Sequence, residues 1–129
     1  MNESRTLLDI ARTNLLMARR ALADIRDDEF IVNCIAFHVQ QGIELALKHA
    51  LEISGVAYNG THDISSLLSQ MDFTDVVPSD ILDTLELFAD AITDMESRSL
   101  CDRDYLAPLH TVMRFIDLGY QLCECLSDS

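Results

Sequence analysis

The stretch FHVQQGIELALKHAL, from Phe37 to Leu51, contains the pattern that decides the fold of this 129-residue chain. Apolar and small residues recur in it at spacings of three and four, which is the period of a helix with one buried face. That face extends over Val32, Ile35, Val39, Gly42, Ala46, Ala50 and Ile53. The small residues on it, Gly42, Ala46 and Ala50, predict that another helix approaches closely, and we expect them to support a dimer built on helix faces. The polar residues of the stretch, which include paired glutamines and two histidines, are unusual in a core helix.

The same periodicity predicts five helices, over Glu3–Ile25, Glu29–Ile53, Asp63–Met71, Ser79–Ser97 and Tyr105–Leu126. We expect Gly55 to end the second helix, Thr61 to cap the third and Pro108 to lie in the first turn of the fifth. On the fifth helix, Leu109, Val112 or Met113, Ile116, Tyr120 and Cys123 are expected to face inward. No strand pattern competes. The predicted fold is all-α, an antiparallel up-and-down bundle of four long helices plus one short helix, in a single domain over residues 1–129.

The composition limits the possible functions. The net charge of −13 is unfavourable for general DNA binding, so any nucleic-acid site must be local. We see no apolar run long enough to span a membrane and no secretory signal. The four cysteines form no CxxC pair and predict buried free thiols in a reducing cytoplasm. Neither a metal nor a cofactor is predicted.

The charges are unevenly distributed. Four arginines, Arg5, Arg12, Arg19 and Arg26, recur every seven residues on the first helix and predict a basic stripe. Four acids, Asp83, Glu86, Asp90 and Asp94, predict an acidic face on the fourth helix. We expect the stripes to pair across helices. The alternative is that the arginines meet phosphate or an acidic partner, and the acids alone are weak grounds for a divalent-ion site.

The polar residues resemble those of a known family. In the second helix, Phe37, His38, Gln40, Gln41, Glu44, Lys48 and Leu51 match in order the pattern of the HEPN domain family (higher eukaryotes and prokaryotes nucleotide-binding). After a short loop, His62, Asp63 and Leu67 continue the match. The resemblance then continues through the five-helix layout. It implies an all-α bundle that usually forms a homodimer.

The resemblance also implies several activities. Some members are metal-independent ribonucleases, often toxins paired with a small nucleotidyltransferase, and others are non-catalytic modules beside nucleotidyltransferases. The nuclease members carry an Arg followed after four to six residues by a His, and Arg103 and His110 are separated by six residues here. His110 would act as base or acid and Arg103 would stabilise the phosphorane.

The chain departs from the nuclease pattern. Asp104 follows Arg103 directly, and Pro108 lies two residues before His110. Another branch of the family ends its fourth helix with an Arg-Tyr pair, whereas here Arg98 is followed by Ser99.

We therefore predict a homodimeric binding or regulatory module, associated with a nucleotide, RNA or a nucleotidyltransferase partner. Ribonuclease and purely structural dimerisation functions are the alternatives. For Gln40 and Gln41, a hydrogen-bond network inside the bundle competes with a groove for a ligand or a second subunit. His38 and His62 are expected to bond side chains or main chain across the corner between the second and third helices. The residues predicted to contact a ligand or an interface are His38, Gln40, Gln41, Glu44, Lys48, His62 and Arg98.

Overall fold

The computed structural model describes residues 6–24, 30–58, 63–71, 74–102 and 104–127. Its helices are α1 (Leu7–Ala21), α2 (Ile31–Ile53), α3 (Ile64–Gln70), α4 (Ser79–Cys101) and α5 (Leu109–Ser127), and a short 3-10 helix, Leu22–Asp24, follows α1. None of the described residues forms a strand, so the predicted all-α fold is confirmed. None of the described helices is both long and apolar enough to cross a bilayer. The antiparallel up-and-down order stays a prediction.

Local signals define the ends of the first two helices. Thr6 begins α1 with a capping box: its hydroxyl accepts from the Asp9 N–H, and the Asp9 carboxylate accepts from the Thr6 N–H. Gly55 ends α2 as predicted. Its φ of +71° is a left-handed conformation, and it lets the Val56 N–H reach the Leu51 carbonyl at 2.9 Å. These ends satisfy main-chain groups that a helix terminus otherwise leaves unbonded.

Three other boundaries differ from the prediction. Asp63 caps α3 through the Ser65 N–H, whereas Thr61 lies outside the described residues. Helix α4 runs to Cys101 and not to Ser97, because no Gly or Pro interrupts it and the Ser99 hydroxyl donates to a carbonyl of its own helix. Helix α5 starts at Leu109, so Pro108 precedes it and is not within it.

Helix α2 lies at the centre of the bundle and contacts the other four helices. The apolar face predicted for it is buried except at Ile53, which is 45% exposed at the last turn. On α5 the prediction was wrong at Leu109, which is exposed, and Tyr120 is only half-buried. Of the alternatives Val112 and Met113, Val112 is buried and Met113 is exposed. The buried residues of that helix include Val112, Phe115, Ile116, Leu118, Leu122, Cys123 and Leu126. The buried face of α5 therefore begins at Val112, and Leu109 in the first turn lies outside it.

A single leucine joins three helices. Leu15 of α1 is fully buried between Gly42 of α2 and Gly119 of α5. A Cβ atom placed on Gly42 would lie 2.8 Å from Leu15 Cγ, and one placed on Gly119 would lie 2.7 Å from Leu15 Cδ2. Neither distance is compatible with ordinary van der Waals contact. Both glycines are therefore needed for the close approach of α1 to α2 and α5.

This junction changes the interpretation of the small residues on α2. The sequence associated Gly42, Ala46 and Ala50 with a dimer built on helix faces. In the structure Ala46 and Ala50 are fully buried and Gly42 faces Leu15, all within one chain. That basis for a dimer is wrong.

We expect Gly42→Ala to destabilise the protein although alanine is the better helix former. The added methyl group meets the branch carbon of a buried leucine and, at 3.2 Å, the Ala11 carbonyl oxygen. Overpacking of this kind costs about 1–3 kcal/mol, whereas the gain in helix propensity is about 1 kcal/mol. Urea unfolding measures the difference. In a Leu15→Ala background the same substitution has room, so it should be neutral or stabilising; an equal loss in both backgrounds would contradict the proposed clash.

Candidate functional site

The polar residues of the opening stretch form a buried ladder along α2. Gln41 Nε2 donates to Gln40 Oε1 at 3.2 Å, and Gln40 Nε2 donates to Glu44 Oε1 at 3.1 Å. Lys48 Nζ then donates to Glu44 Oε2 at 2.9 Å. Gln40 and Glu44 are each only 1% exposed. The hydrogen-bond network is thus the observed state of the two glutamines.

The ladder pairs its buried polar groups with one another along α2 and offers little to a ligand. A carboxylate this deeply buried is costly unless it is paired and hydrogen-bonded, and Glu44 has both kinds of partner. The two ends of the ladder, Gln41 and Lys48, are half-buried, and the Lys48 ammonium lies 6.0 Å from the Tyr58 ring centre. Gln40 and Glu44 are inaccessible to any ligand in this conformation.

His38, on another side of α2, has a defined hydrogen-bonding role. Its Nδ1 lies 2.8 Å from Asn14 Oδ1 of α1, while Asn14 Nδ2 donates to the Ile10 carbonyl at 3.1 Å. Because the amide nitrogen of Asn14 is used in that bond, its oxygen faces His38, and Nδ1 of the ring must be the donor. In the neutral ring, Nε2 is then the unprotonated nitrogen. Burial lowers the pKa of His38, which favours this neutral form.

A cavity of about 230 Å³ lies beside His38 and is lined by Asn33, Cys34, Phe37, His38 and Ser99. It is bounded by α2 and by the end of α4. The Phe37 and His38 rings meet edge to face with centroids 5.6 Å apart. The cavity therefore combines an aromatic wall with a few polar atoms, as small-molecule sites commonly do.

Asn33 links this cavity to the α4–α5 loop. Its Nδ2 donates to the Tyr105 carbonyl at 2.7 Å, and its Oδ1 accepts from the Ala107 N–H at 2.9 Å. These bonds hold the loop outside helical geometry and account for the late start of α5. Tyr105 in turn lies under Arg98, whose guanidinium carbon is 5.4 Å from the ring centre. An exposed cation thus stands near the cavity, one residue before Ser99.

The predicted nuclease pair is only partly described. His110 is exposed in the first turn of α5, and Arg103 lies outside the described residues, as does His62. Arg114, one turn after His110, stacks on Phe88 of α4 with 4.6 Å between the guanidinium carbon and the ring centre.

The arginine stripe has partners other than the predicted acids. Arg12 donates to the Ser127 hydroxyl of α5, and the Arg19 guanidinium carbon lies 4.0 Å above the Tyr120 ring centre. Between described residues, the ion pairs are Glu44–Lys48 and the exposed Asp94–Arg98 pair. A groove of about 410 Å³ runs between α1 and α5, lined by Arg12, Leu16, Tyr120, Glu124 and Ser127. The described part of the stripe therefore attaches α1 to α5.

The acidic face of α4 is exposed, and three of the four cysteines are not fully buried, contrary to the prediction. Asp83, Glu86, Asp90 and Asp94 are all exposed, and the described residues contain no group of three or more His, Cys, Asp or Glu that could hold a metal. Of the four thiols predicted to be buried, Cys34 and Cys101 are exposed and Cys125 is half-buried. Only Cys123 is buried, and burial raises its pKa to about 11.

Sequence reasoning missed the residues that build the cavity. Asn33, Asn14 and Ser99 come from three helices, and only the fold brings them together. One signal was available in the sequence. Asn33 and Phe37 are four residues apart on α2, and so are Cys34 and His38. That spacing places four chemically distinct side chains on one side of the helix.

We expect the Glu44–Lys48 pair to be strongly coupled. Lys48→Met leaves the Glu44 carboxylate buried without its cation, which costs about 3–5 kcal/mol. Replacing both, as Glu44→Leu with Lys48→Met, removes the uncompensated charge and should cost less than the single change. Urea unfolding of the two variants measures this, with the exposed Asp94→Asn and Arg98→Met pair as control. Additive losses would contradict the coupling.

The comparisons agree with this architecture. The family model described as "HEPN domain" matches residues 4–102, which include α1 to α4 and the whole polar ladder. The matched residues end before Arg103 and His110. No curated protein and no solved structure matches the chain significantly. Since the family match covers most of the sequence, the chain belongs to the HEPN domain family.

Proposed function

We propose that this protein is a HEPN-family binding module that takes a nucleotide at the α2–α4 cavity. The observation that carries the proposal is the cavity itself: an aromatic wall at Phe37, polar atoms from His38 and Ser99, and an exposed cation, Arg98, close by. A volume of about 230 Å³ is below that of most drug-sized sites, so it suits one flat ring system and leaves the phosphates outside.

The hydrogen-bonding character of the cavity favours certain bases. The Ser99 hydroxyl donates to Met95, and the Asn33 amide nitrogen donates one of its two hydrogens to Tyr105. The acceptor that remains toward a ligand is Nε2 of His38. A base with an exocyclic amino group, such as adenine, supplies the matching donor. Arg98 supports the negative phosphate, and a single mononucleotide avoids the repulsion that a charge of −13 imposes on a polymer.

Calorimetric titration with AMP tests the proposal. We expect saturable binding, about tenfold weaker for IMP, which replaces the amino group by an oxygen. Phe37→Ala should weaken both AMP and adenosine. Arg98→Gln should weaken AMP and leave adenosine unchanged, because only AMP carries phosphate. Arg20→Gln removes an equal charge from exposed α1 and is the matched control. Absence of saturable binding by any nucleotide at millimolar concentration would overturn the proposal.

The main alternative is a metal-independent ribonuclease using Arg103 and His110. The exposed position of His110 in the first turn of α5 favours it, whereas the net charge, Asp104 and Pro108 oppose it. We expect that the wild-type protein does not cleave single-stranded RNA in EDTA. The same result is expected for protein purified alone and for protein separated from a nucleotidyltransferase partner. Cleavage by the wild type that His110→Ala abolishes would establish the nuclease. Equal cleavage by both would indicate contamination.

We further propose a single cytoplasmic domain that forms homodimers, with or without a nucleotidyltransferase partner. The support for a dimer is an apolar surface at the start of α5, where Leu106, Leu109 and Met113 are 39–45% exposed. A purely structural dimer is the third possible function. Sedimentation at micromolar concentration should give twice the chain mass of 14.5 kDa, and Met113→Glu should give the monomer. A wild-type monomer would remove both the dimer and the structural function.

A further inference from the structure

Two reactive side chains share the cavity described above. Cys34 and His38 are one turn apart on α2, both line the cavity, and the Cys34 thiol is exposed. Residues spaced by four on a helix have Cβ atoms about 6 Å apart, which allows a thiol and an imidazole to meet through rotation of their side chains. The chain thus places a nucleophile and a base on one wall of a small cavity.

The base is already in the form that such a pair requires. The bond from Nδ1 to Asn14 leaves Nε2 as the nitrogen that accepts a proton, and the Asn14 amide is itself held by the Ile10 carbonyl. A nucleophile, a base and a side chain that orients the base are the three parts of a cysteine–histidine–asparagine arrangement. Here they come from positions 34 and 38 of α2 and position 14 of α1.

Cys34 is also the thiol that combines exposure with a neighbouring base. It is the fourth residue of the 23-residue helix α2, one turn before His38. The other thiols lack this combination: Cys101 is exposed but has no histidine one turn away, Cys123 is buried and Cys125 is half-buried.

We infer that Cys34 is a reactive thiol, with His38 as its base and Asn14 as the positioning residue, and that it exchanges with small-molecule disulfides. His38 Nε2 takes the proton from Cys34 Sγ, and the thiolate attacks one sulfur of R–S–S–R. A Cys34–S–S–R bond forms as the original S–S bond breaks. The departing R–S⁻ takes the proton from His38 and leaves as R–SH.

The choice of a disulfide follows from the donors around the cavity. Acyl transfer develops charge on an oxygen and needs hydrogen-bond donors aimed at it. The Ser99 hydroxyl is used by the Met95 carbonyl and one hydrogen of the Asn33 amide by the Tyr105 carbonyl, which leaves a single amide hydrogen and no converging pair of side-chain donors. Exchange at sulfur spreads the charge over three sulfur atoms and needs no such donors. The available chemistry therefore matches a disulfide better than an ester or a thioester.

This inference goes beyond nucleotide binding and does not depend on it, so it is tested on the full chain without nucleotide. The protein is incubated with oxidised glutathione at neutral pH, and mass spectrometry of peptides gives the rate of modification at each cysteine. Cys101, which is also exposed but has no histidine one turn away, is the internal control. We expect Cys34 to react at least tenfold faster than Cys101.

Variants of His38 identify the base. In His38→Gln the Cys34 rate should fall to that of Cys101, while the Cys101 rate stays unchanged and reports that the fold is intact. In His38→Ala, added imidazole should restore part of the Cys34 rate, which a merely structural role would not allow. Equal rates at Cys34 and Cys101 in the wild type would overturn the inference. So would a fast Cys34 that is insensitive to both His38 variants.

Discussion

The contact of Leu15 with Gly42 and Gly119 is the constraint on which the rest of the bundle depends. It brings α1 against α2 and α5 at distances that leave no room for a Cβ atom on either glycine. Interiors are close-packed, so a contact this tight fixes the relative height of the helices as well as their separation. Asn14, the residue before Leu15, is thereby brought opposite His38, and Arg12 and Arg19 opposite α5.

The two sides of α2 serve different purposes because burial treats their polar groups differently. On one side the Gln40–Glu44–Lys48 ladder completes its own hydrogen bonds inside the bundle, which makes it part of the framework. On the other side Cys34 and His38 are partly accessible, and His38 keeps one ring nitrogen outside the hydrogen bond to Asn14. Most of the residues of α2 that carry the family resemblance therefore lie in the ladder, whereas Phe37 and His38 line the cavity.

The sequence predicted the helices and most of the buried face of α2, since these depend on spacing within one segment, and it offered the hydrogen-bond network as one of two possibilities for the glutamines. It did not predict the start of α5, because Asn33, over seventy positions earlier, takes main-chain groups that a helix would use. It did not predict the cavity, because Ser99 lies in the four residues of α4 that follow the predicted end of this helix. It assigned Gly42 to a second subunit, because a small residue on a helix face does not reveal which helix approaches it.

Asn33 connects the cavity to the loop between α4 and α5 through two hydrogen bonds. One amide group faces the cavity and also holds both the Tyr105 carbonyl and the Ala107 N–H. Any occupant that drew this amide toward itself would release two main-chain groups of the segment. By reciprocity, any change that released these two bonds would alter the affinity for such an occupant by the same factor. The order of the α4–α5 segment and the occupancy of the cavity would then depend on the same side chain.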